Sequence, residues 1–283
     1  MSPAKTAQAT GGHHVNRAEL TKKQRWEVAD LLASERLPHL NKSLEDVNPS
    51  RTLYARFGKR LFDIVLSAFA LVVTLPINLV IGVATYLDLG RPLFFKQERV
   101  GRDGATFTIV KFRNMRETRD ERGELLPPSE RVTKLGVFLR KTSLDELLNF
   151  WSVLKGDMSI IGPRPLVPEY THRYNKRHRM RLAVRPGLEC PPRHLGGHVW
   201  TWQEQFDNDV WYVEHLSFRT DCLMVINLVR FALDKRSAQA RATAKRGTFM
   251  GYDEAGHAIN LDGVPQEYID YVAGGGVNEC GQI

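Results

Sequence analysis

The sequence predicts an α/β (α+β) compact domain joined to one membrane-inserted helix, and three observations lead there. A single uncharged apolar run, Ile64 to Leu87, lasts 24 residues and has no equal in the chain. The residues after it alternate short β-rich segments with helical periodicity. With 283 residues, 42% hydrophobic and 25% charged, the chain can build one sizeable core without disulfide or metal staples. The same balance excludes a polytopic membrane protein and a wholly disordered chain. Cys190, Cys222 and Cys280 are scattered, odd in number and without CxxC spacing, which fits a reducing compartment. The net charge of +8 suits an anionic partner: a membrane surface, a nucleotide or a nucleic acid.

Residues 1–55 form a polar extension with an amphipathic helix from Ala18 to Arg36, and the first twenty lack the apolar centre of a signal peptide. His13-His14 is too short a run to read as a metal site. Residues 56–91 hold the apolar run, long enough to cross a bilayer. Pro76 near its middle removes an amide hydrogen bond, so a break is expected at Leu75-Pro76, and Asn78 needs a partner in hydrocarbon. Basic residues flank both ends (Arg51, Arg56, Lys59 and Arg60 before; Arg91, Lys96, Arg99 and Arg102 after), which places both ends on the cytoplasmic side. A helix that enters and leaves by one face satisfies both features; a Pro-kinked spanning helix is the competing reading.

Residues 92–236 read as a soluble unit. Segments 93–97 and 106–111 flank Gly101-Arg102-Asp103-Gly104, a hairpin signal. A polar loop covers 116–130, helical patterns follow over 132–139 and 144–154, and a short strand spans 158–161. An amphipathic helix over 216–234 gathers Thr220, Asn227, Arg230 and Asp234 on one side. With Trp200, Trp202, Trp211 and Tyr212 upstream, it suits either a membrane interface or a core. The tail, 237–283, carries no recognisable chemistry.

The chemistry concentrates in Arg140-Lys141-Thr142-Ser143-Leu144-Asp145-Glu146. Ser143 and Glu146 have capping-box spacing, so Glu146 could simply close a helix start, and Asp145 would then be kept ionised by the helix dipole. An ionised Asp is also a competent nucleophile toward phosphorus. Its approach to an anionic diphosphate costs about 1 kcal/mol per charge pair at 4 Å in water and about 4 at an effective dielectric of 20. Fixed cations must offset this, and Lys111, Arg140 and Arg164 are the candidates. Arg164 stands between Pro163 and Pro165, whose locked φ angles aim it.

From Lys59 to Leu233 the chain resembles the bacterial sugar transferases, monotopic polyprenyl-phosphate phosphoglycosyl transferases of the undecaprenyl-phosphate sugar phosphotransferase type. The matching motifs are Lys59-Arg60-Leu61-Phe62-Asp63, Gln97-Glu98-Arg99-Val100-Gly101, Lys111-Phe112-Arg113-Asn114-Met115 and Ser143-Leu144-Asp145-Glu146-Leu147. Leu154-Lys155-Gly156-Asp157-Met158-Ser159, Gly162-Pro163-Arg164-Pro165-Leu166, Arg185-Pro186-Gly187 and Asp209-Val210-Trp211-Tyr212 follow in order. The resemblance implies a re-entrant membrane helix broken at Pro76, a Mg²⁺-dependent catalytic Asp145-Glu146 pair, and Asp145 as metal ligand. It also implies phosphate contacts from Lys111, Arg140 and Arg164, with Pro163 and Pro165 shaping a nucleotide pocket. The donor would be a UDP-sugar and the acceptor a polyprenyl phosphate in the membrane lipid of the bacterial inner (cytoplasmic) membrane, with the domain on its cytoplasmic face. A homo-oligomer is compatible with this.

Leu75 replaces the family's usual Ser before the helix-breaking Pro, and Glu189-Cys190-Pro191-Pro192-Arg193 replaces the usual Thr-Gly continuation after Arg185-Pro186-Gly187-Leu188. The altered segment motivates a second reading, a non-catalytic membrane-associated scaffold of the same fold. No zinc spacing, recognition helix or RNP-like aromatic pair supports a nucleic-acid partner.

Overall fold

The computed structural model describes residues 14–121, 123, 125–193, 200–233 and 246–275. His13, Cys280, Asp234 and the tail stretches 237–245 and 276–283, on which expectations were placed, lie outside the described residues. The architecture is mixed helix and small sheet. Strands β1 (Phe94–Val100) and β2 (Thr106–Phe112) form an antiparallel hairpin, Phe94 opposite Phe112 and Val100 opposite Thr106. The turn between them places Asp103 in the left-handed region, φ 56°. Two further strand pairs complete the sheet content: β3 (Ser159–Ile161) lies parallel to β4 (Gly187–Glu189), and β5 (Gly251–Tyr252) antiparallel to β6 (Ala258–Ile259).

Of the helices used below, α1 covers Lys22–Ser43 and α2 Lys59–Leu89, the latter preceded by a π turn at Tyr54–Gly58. Helices α3 (Lys134–Thr142), α4 (Asn149–Lys155), α5 (Trp202–Glu214), α6 (Phe218–Leu233) and α7 (Gln266–Ala273) follow. The central core joins Ile109 of β2, Val153 of α4, Ile161 of β3, Tyr212 of α5 and Met224 of α6. Between β3 and β4 the backbones cross so closely that a Cβ on Gly187 would lie 2.1 Å from the Gly162 nitrogen. Only glycine permits that approach.

Helix α2 has buried residues near both of its ends and none across its middle. At its start Lys59, Asp63 and Ser67 are buried; near its end Ile81 and Thr85 are, with Ile81 packed on Phe112 and Leu139. From 68 to 80 no residue is buried, and Val72, Leu75 and Val80 are more than half exposed. It is the one helix among the described residues long and apolar enough to cross a membrane. The break expected at Pro76 is not an interruption of the helix, which continues through it. Proline removes one amide donor but keeps a helical φ. Thr74 Oγ1 donates to the Ala70 carbonyl at 2.7 Å, and Asn78 Nδ2 donates to Thr74 Oγ1 at 3.4 Å, so the turn around Pro76 carries its own side-chain bonds.

Helix α6 is amphipathic, with three residues of its polar side turned inward and Arg230 exposed. Thr220, Asp221 and Asn227 are buried, while Phe218, Leu223, Ile226 and Val229 are each about half exposed, at 56, 46, 50 and 53%. Asp221 is held by Lys59 and by the Tyr54 and Tyr212 hydroxyls, and Asn227 donates to the Pro192 carbonyl. The aromatics upstream divide: Trp202 and Tyr212 belong to the core, while Trp211 stacks on His215.

The two chain ends, read from sequence as separate appendages, share one core. Val28, Ala29 and Leu32 of α1 pack with Met250, Val264, Tyr268, Ile269 and Val272. Thr21 and Gln24 make a capping box at the start of α1, and the helix passes Pro38, beyond the expected end at Arg36. Leu37 and Leu40, flanking that proline, pack on an aromatic cluster of Tyr170, Trp202, Phe206 and Phe249, and this burial holds the last turns against the lost hydrogen bond.

Candidate active site

Helix α3 ends where Ser143 adopts a left-handed conformation, φ 56°, ψ 21°. This conformation is uncommon outside glycine and turns the chain sharply. The segment expected to run as one helix over 144–154 is therefore split into a single 3-10 turn, Leu144–Glu146, and α4. The capping-box reading fails here, because Ser143 makes no side-chain cap and Glu146 points elsewhere. Glu146 Oε1 accepts from Lys111 Nζ at 2.5 Å and from Arg164 Nη2 at 2.7 Å. Asp145 is buried, and its Oδ2 accepts from Asn114 Nδ2 at 2.8 Å.

The two neighbouring carboxyls are electrostatically unlike. Burial and the adjacent Glu146 push Asp145 above the ordinary aspartate range, against the pull of Lys111 and Arg140. The expected dipole effect on Asp145 does not prevail, since one 3-10 turn supplies little dipole while burial acts fully. Burial opposes the Glu146 charge as well, but Arg164 and Lys111 outweigh it and hold that carboxyl below its usual value.

Arg164 is fixed on all sides. Its Nη1 donates to the Leu188 carbonyl at 3.0 Å and to Glu189 Oε2 at 3.3 Å, and its own carbonyl accepts from Arg181 Nη2 at 2.8 Å. Glu189, which departs from the family pattern, thus joins the site through Arg164. Two cavities meet across Lys111, Glu146 and Arg164. The wider, about 710 Å³, is lined also by Asp145, Arg140 and Asn114. The narrower, about 290 Å³, runs past Arg99, Asn149 and Pro165 to Tyr170 and Trp202. Pro163 lies elsewhere: it is buried, and its carbonyl accepts from the Gly187 amide at 3.0 Å, so it braces the strand crossing and lines neither cavity.

Three polar residues at the site were given no role from sequence: Asn114, Arg99 and Asn149. The hairpin register carried the signal for Arg99. With Gln97 opposite Ile109 and Phe95 opposite Lys111, period-two alternation puts Phe95, Gln97 and Arg99 on the face that holds Ile109 and Lys111. Asn114 and Asn149 carry no such signal. Asn114 is set by α3, where a Cβ on Gly136 would come 2.0 Å from the Asn114 carbonyl oxygen. Of the cysteines, Cys190 and Cys222 line neither cavity, and Cys190 is buried, which pushes its thiol up and leaves it inert.

Residues 54–235 match the family model for bacterial sugar transferases. The uncharacterised sugar transferase EpsL of Bacillus subtilis is 40% identical over 195 residues, covering 68% of this chain and 96% of that protein. A UDP-N-acetylgalactosamine-undecaprenyl-phosphate N-acetylgalactosaminephosphotransferase of Aeromonas hydrophila is 32% identical over 207 residues, 70% of this chain and 48% of that one. An undecaprenyl-phosphate galactose phosphotransferase of Salmonella typhimurium is 32% identical over 201 residues, 65% and 42% respectively. The chain thus spans less than half of these two longer relatives. Hairpin, left-handed turn and paired carboxyls all fall within the matched stretch, and the chain belongs to the bacterial sugar transferase family and is a transferase.

Proposed function

We propose that the protein transfers sugar-1-phosphate from a UDP-sugar to a membrane polyprenyl phosphate through a covalent phosphoryl-aspartate on Asp145. One observation carries the reading: a buried carboxyl opens on a cavity walled by Lys111, Arg140 and Arg164, beside a second carboxyl already neutralised by two of those cations. An Asp145 oxygen attacks the β-phosphorus, the bond to the bridging oxygen breaks, and UMP leaves with that oxygen. An oxygen of polyprenyl phosphate then attacks the adduct phosphorus and frees the carboxylate. Lys111 and Arg164 hold phosphate oxygens, the latter with a planar fork aimed by its neighbours. Glu146 keeps both in place. The product would begin assembly of a surface glycan such as exopolysaccharide, capsule, O-antigen or glycoprotein.

Magnesium fits the donor set. Asp145 and Glu146 offer oxygens, and Asn149 Oδ1 is buried without a partner in the cavity that Glu146 also lines. Among the described residues no three His, Cys, Asp or Glu cluster, which suits a cation completing its shell with substrate phosphates and water. When bound, Mg²⁺ supplies charge neutralisation for the diphosphate, with Asp145 as the ligand from this chain.

Helix α2 is read as a re-entrant anchor. Residues near both of its ends are buried against the same domain while none from 68 to 80 is, an arrangement that suits a helix entering and leaving by one face. The exposed apolar side of α6 fits the same interface. The site then lies at the depth of the acceptor's phosphate, on the cytoplasmic face, by the basic flanks.

Purified protein given UDP-sugars, Mg²⁺ and undecaprenyl phosphate should release UMP, and donor alone should leave a sugar-phosphoryl mass on Asp145. Donor binding without UMP release across a broad sugar panel would replace the enzyme with a scaffold. Cysteine labelling before and after α2 should report one side of the membrane; opposite sides would remove the arch.

A further inference from the structure

A third cavity, about 790 Å³, sits at the foot of α2 and shares no lining residue with the two at the active site. Six cations line it, Arg51, Arg56, Lys59, Arg60, Arg102 and Arg185, against a single acidic lining residue, Asp63. Asp63 turns one oxygen to the fold, Oδ1 accepting from Lys59 Nζ, Ser159 Oγ and the Ile160 amide, while its Oδ2 is buried without a partner. Lys59 also pairs with Asp221, and the two carboxylates account for its charge. The arginines are not balanced in this way. Arg60 donates to the Val153 and Leu154 carbonyls and Arg185 to the Gly156 carbonyl, bonds that fix both side chains but neutralise neither. Arg102 pairs only with Asp103, largely in water, where such a pair counts for little. Arg56 lies over the Phe57 ring.

The cavity is therefore a cationic pocket in which Lys59, Arg60 and Arg185 are held by the fold and Arg51, Arg56 and Arg102 stand exposed at its edge; burial and then the neighbouring Arg60 and Arg102 lower the proton affinity of Arg185. Its rim is apolar. Leu61 and Ile64 line it, and Leu53, Phe57 and Leu61 are 80, 63 and 65% exposed at the level where α2 leaves the domain. A soluble anion would use the arginines and leave that rim in water. A lipid would use both, its phosphate among the arginines and its chains along the apolar face of α2.

We infer that this cavity binds the headgroup of an anionic phospholipid, as a site separate from the one that handles the polyprenyl acceptor. The site fixes α2 to the bilayer surface at its first turn, and it stands whether or not the transfer reaction proposed above is right.

The test is native mass spectrometry of the full-length protein in detergent, titrated with phosphatidylglycerol, phosphatidylcholine or inorganic phosphate. Phosphatidylglycerol should be retained in preference to phosphatidylcholine, with inorganic phosphate competing poorly. Arg51→Gln with Arg102→Gln removes two exposed cations, of which Arg102 pairs only with the exposed Asp103, and should weaken phosphatidylglycerol binding by roughly twenty-five-fold, at about a factor of five per cation. Melting temperature and the affinity for phosphatidylcholine should stay put, and Arg51→Lys with Arg102→Lys should restore retention. Equal retention of the two lipids, undiminished binding by the Gln pair, or competition by inorganic phosphate as effective as by the lipid would each overturn the inference.

Discussion

Two charged clusters of this molecule use the same residue types to opposite ends. In one, Arg181 Nε and Nη2 converge on Asp209 Oδ2 at 3.0 and 2.7 Å, with both residues buried, the Tyr174 hydroxyl alongside and neither residue lining the cavities described above. In the other, Lys111 and Arg164 converge on Glu146, but the cluster opens on two cavities and leaves Asp145 beside it without a cation of its own. Enclosed ion pairs serve the fold, because breaking one strands a charge without water. An open cluster with one uncompensated carboxyl is held ready for a ligand, and its stored cost is recovered when the ligand arrives.

The sharpest test of that contrast is a pair of substitutions. Asp145→Asn should lower turnover by roughly four orders of magnitude or more while leaving the melting temperature unchanged or slightly raised, since a buried charge is removed and the amide oxygen still accepts from Asn114. Asp209→Ala should do the reverse in kind, costing about 3–5 kcal/mol of stability in a denaturant titration because Arg181 is left buried and alone. If Asp145→Asn unfolds the protein, or Asp209→Ala keeps full stability, the division between the clusters is wrong.

Next in size is Arg164→Lys, which keeps the charge and loses the fork that spans Glu146, Glu189 and the Leu188 carbonyl. Turnover should fall by roughly a hundredfold with the fold intact by circular dichroism. The pH profile gives a finer measure. In the proposed reaction Asp145 must be ionised to attack, and its carboxyl lies above the ordinary range, so the acid limb of kcat/KM should sit higher than a free aspartate would place it. Glu146→Gln removes the anion that helps raise it and frees two cations nearby. Both changes favour the charged form, so the acid limb should move to lower pH even as the maximum rate drops. A limb that moved upward would show that Glu146 acts on Asp145 in some other way. The smallest effect is expected from Ser143→Gly, which relieves a left-handed residue without touching the carboxyls and should stabilise by about 1 kcal/mol in the same titration.

Much of this was legible in the chain because the signals are local. The hairpin declares itself through alternating apolar residues around Gly101-Arg102-Asp103-Gly104, and the structure carries the first strand three residues past its expected end, to Val100, and the second one residue past, to Phe112. The apolar run marks α2 for the same reason, since a stretch without charge states its own solvent. The capping box misled. Ser143 and Glu146 have the right spacing, but Lys111 and Arg164 lie 35 and 18 residues away from Glu146 and offer charge-assisted bonds stronger than a helix cap. Pro163 misled in the other direction, because its rigidity is spent on the crossing with Gly187 and not on the cavity wall.

The sequence by itself determined the hairpin, the long apolar helix and which acids and bases are available, because period and composition act over a few residues; it left the short strands from residue 187 onward and the helices Trp202–Glu214 and Gln266–Ala273 unread. Tertiary structure decided what those groups face. It turned Asp221 and Asn227 of α6 inward onto Lys59, the Tyr54 and Tyr212 hydroxyls and the Pro192 carbonyl, and left Phe218, Leu223, Ile226 and Val229 exposed. It joined α1 to the C-terminal segment across more than 200 residues, with Tyr268 donating to Glu35. The physical reason is common to both: burial and ion pairing are set by neighbours in space, and no short stretch of chain contains its own neighbours.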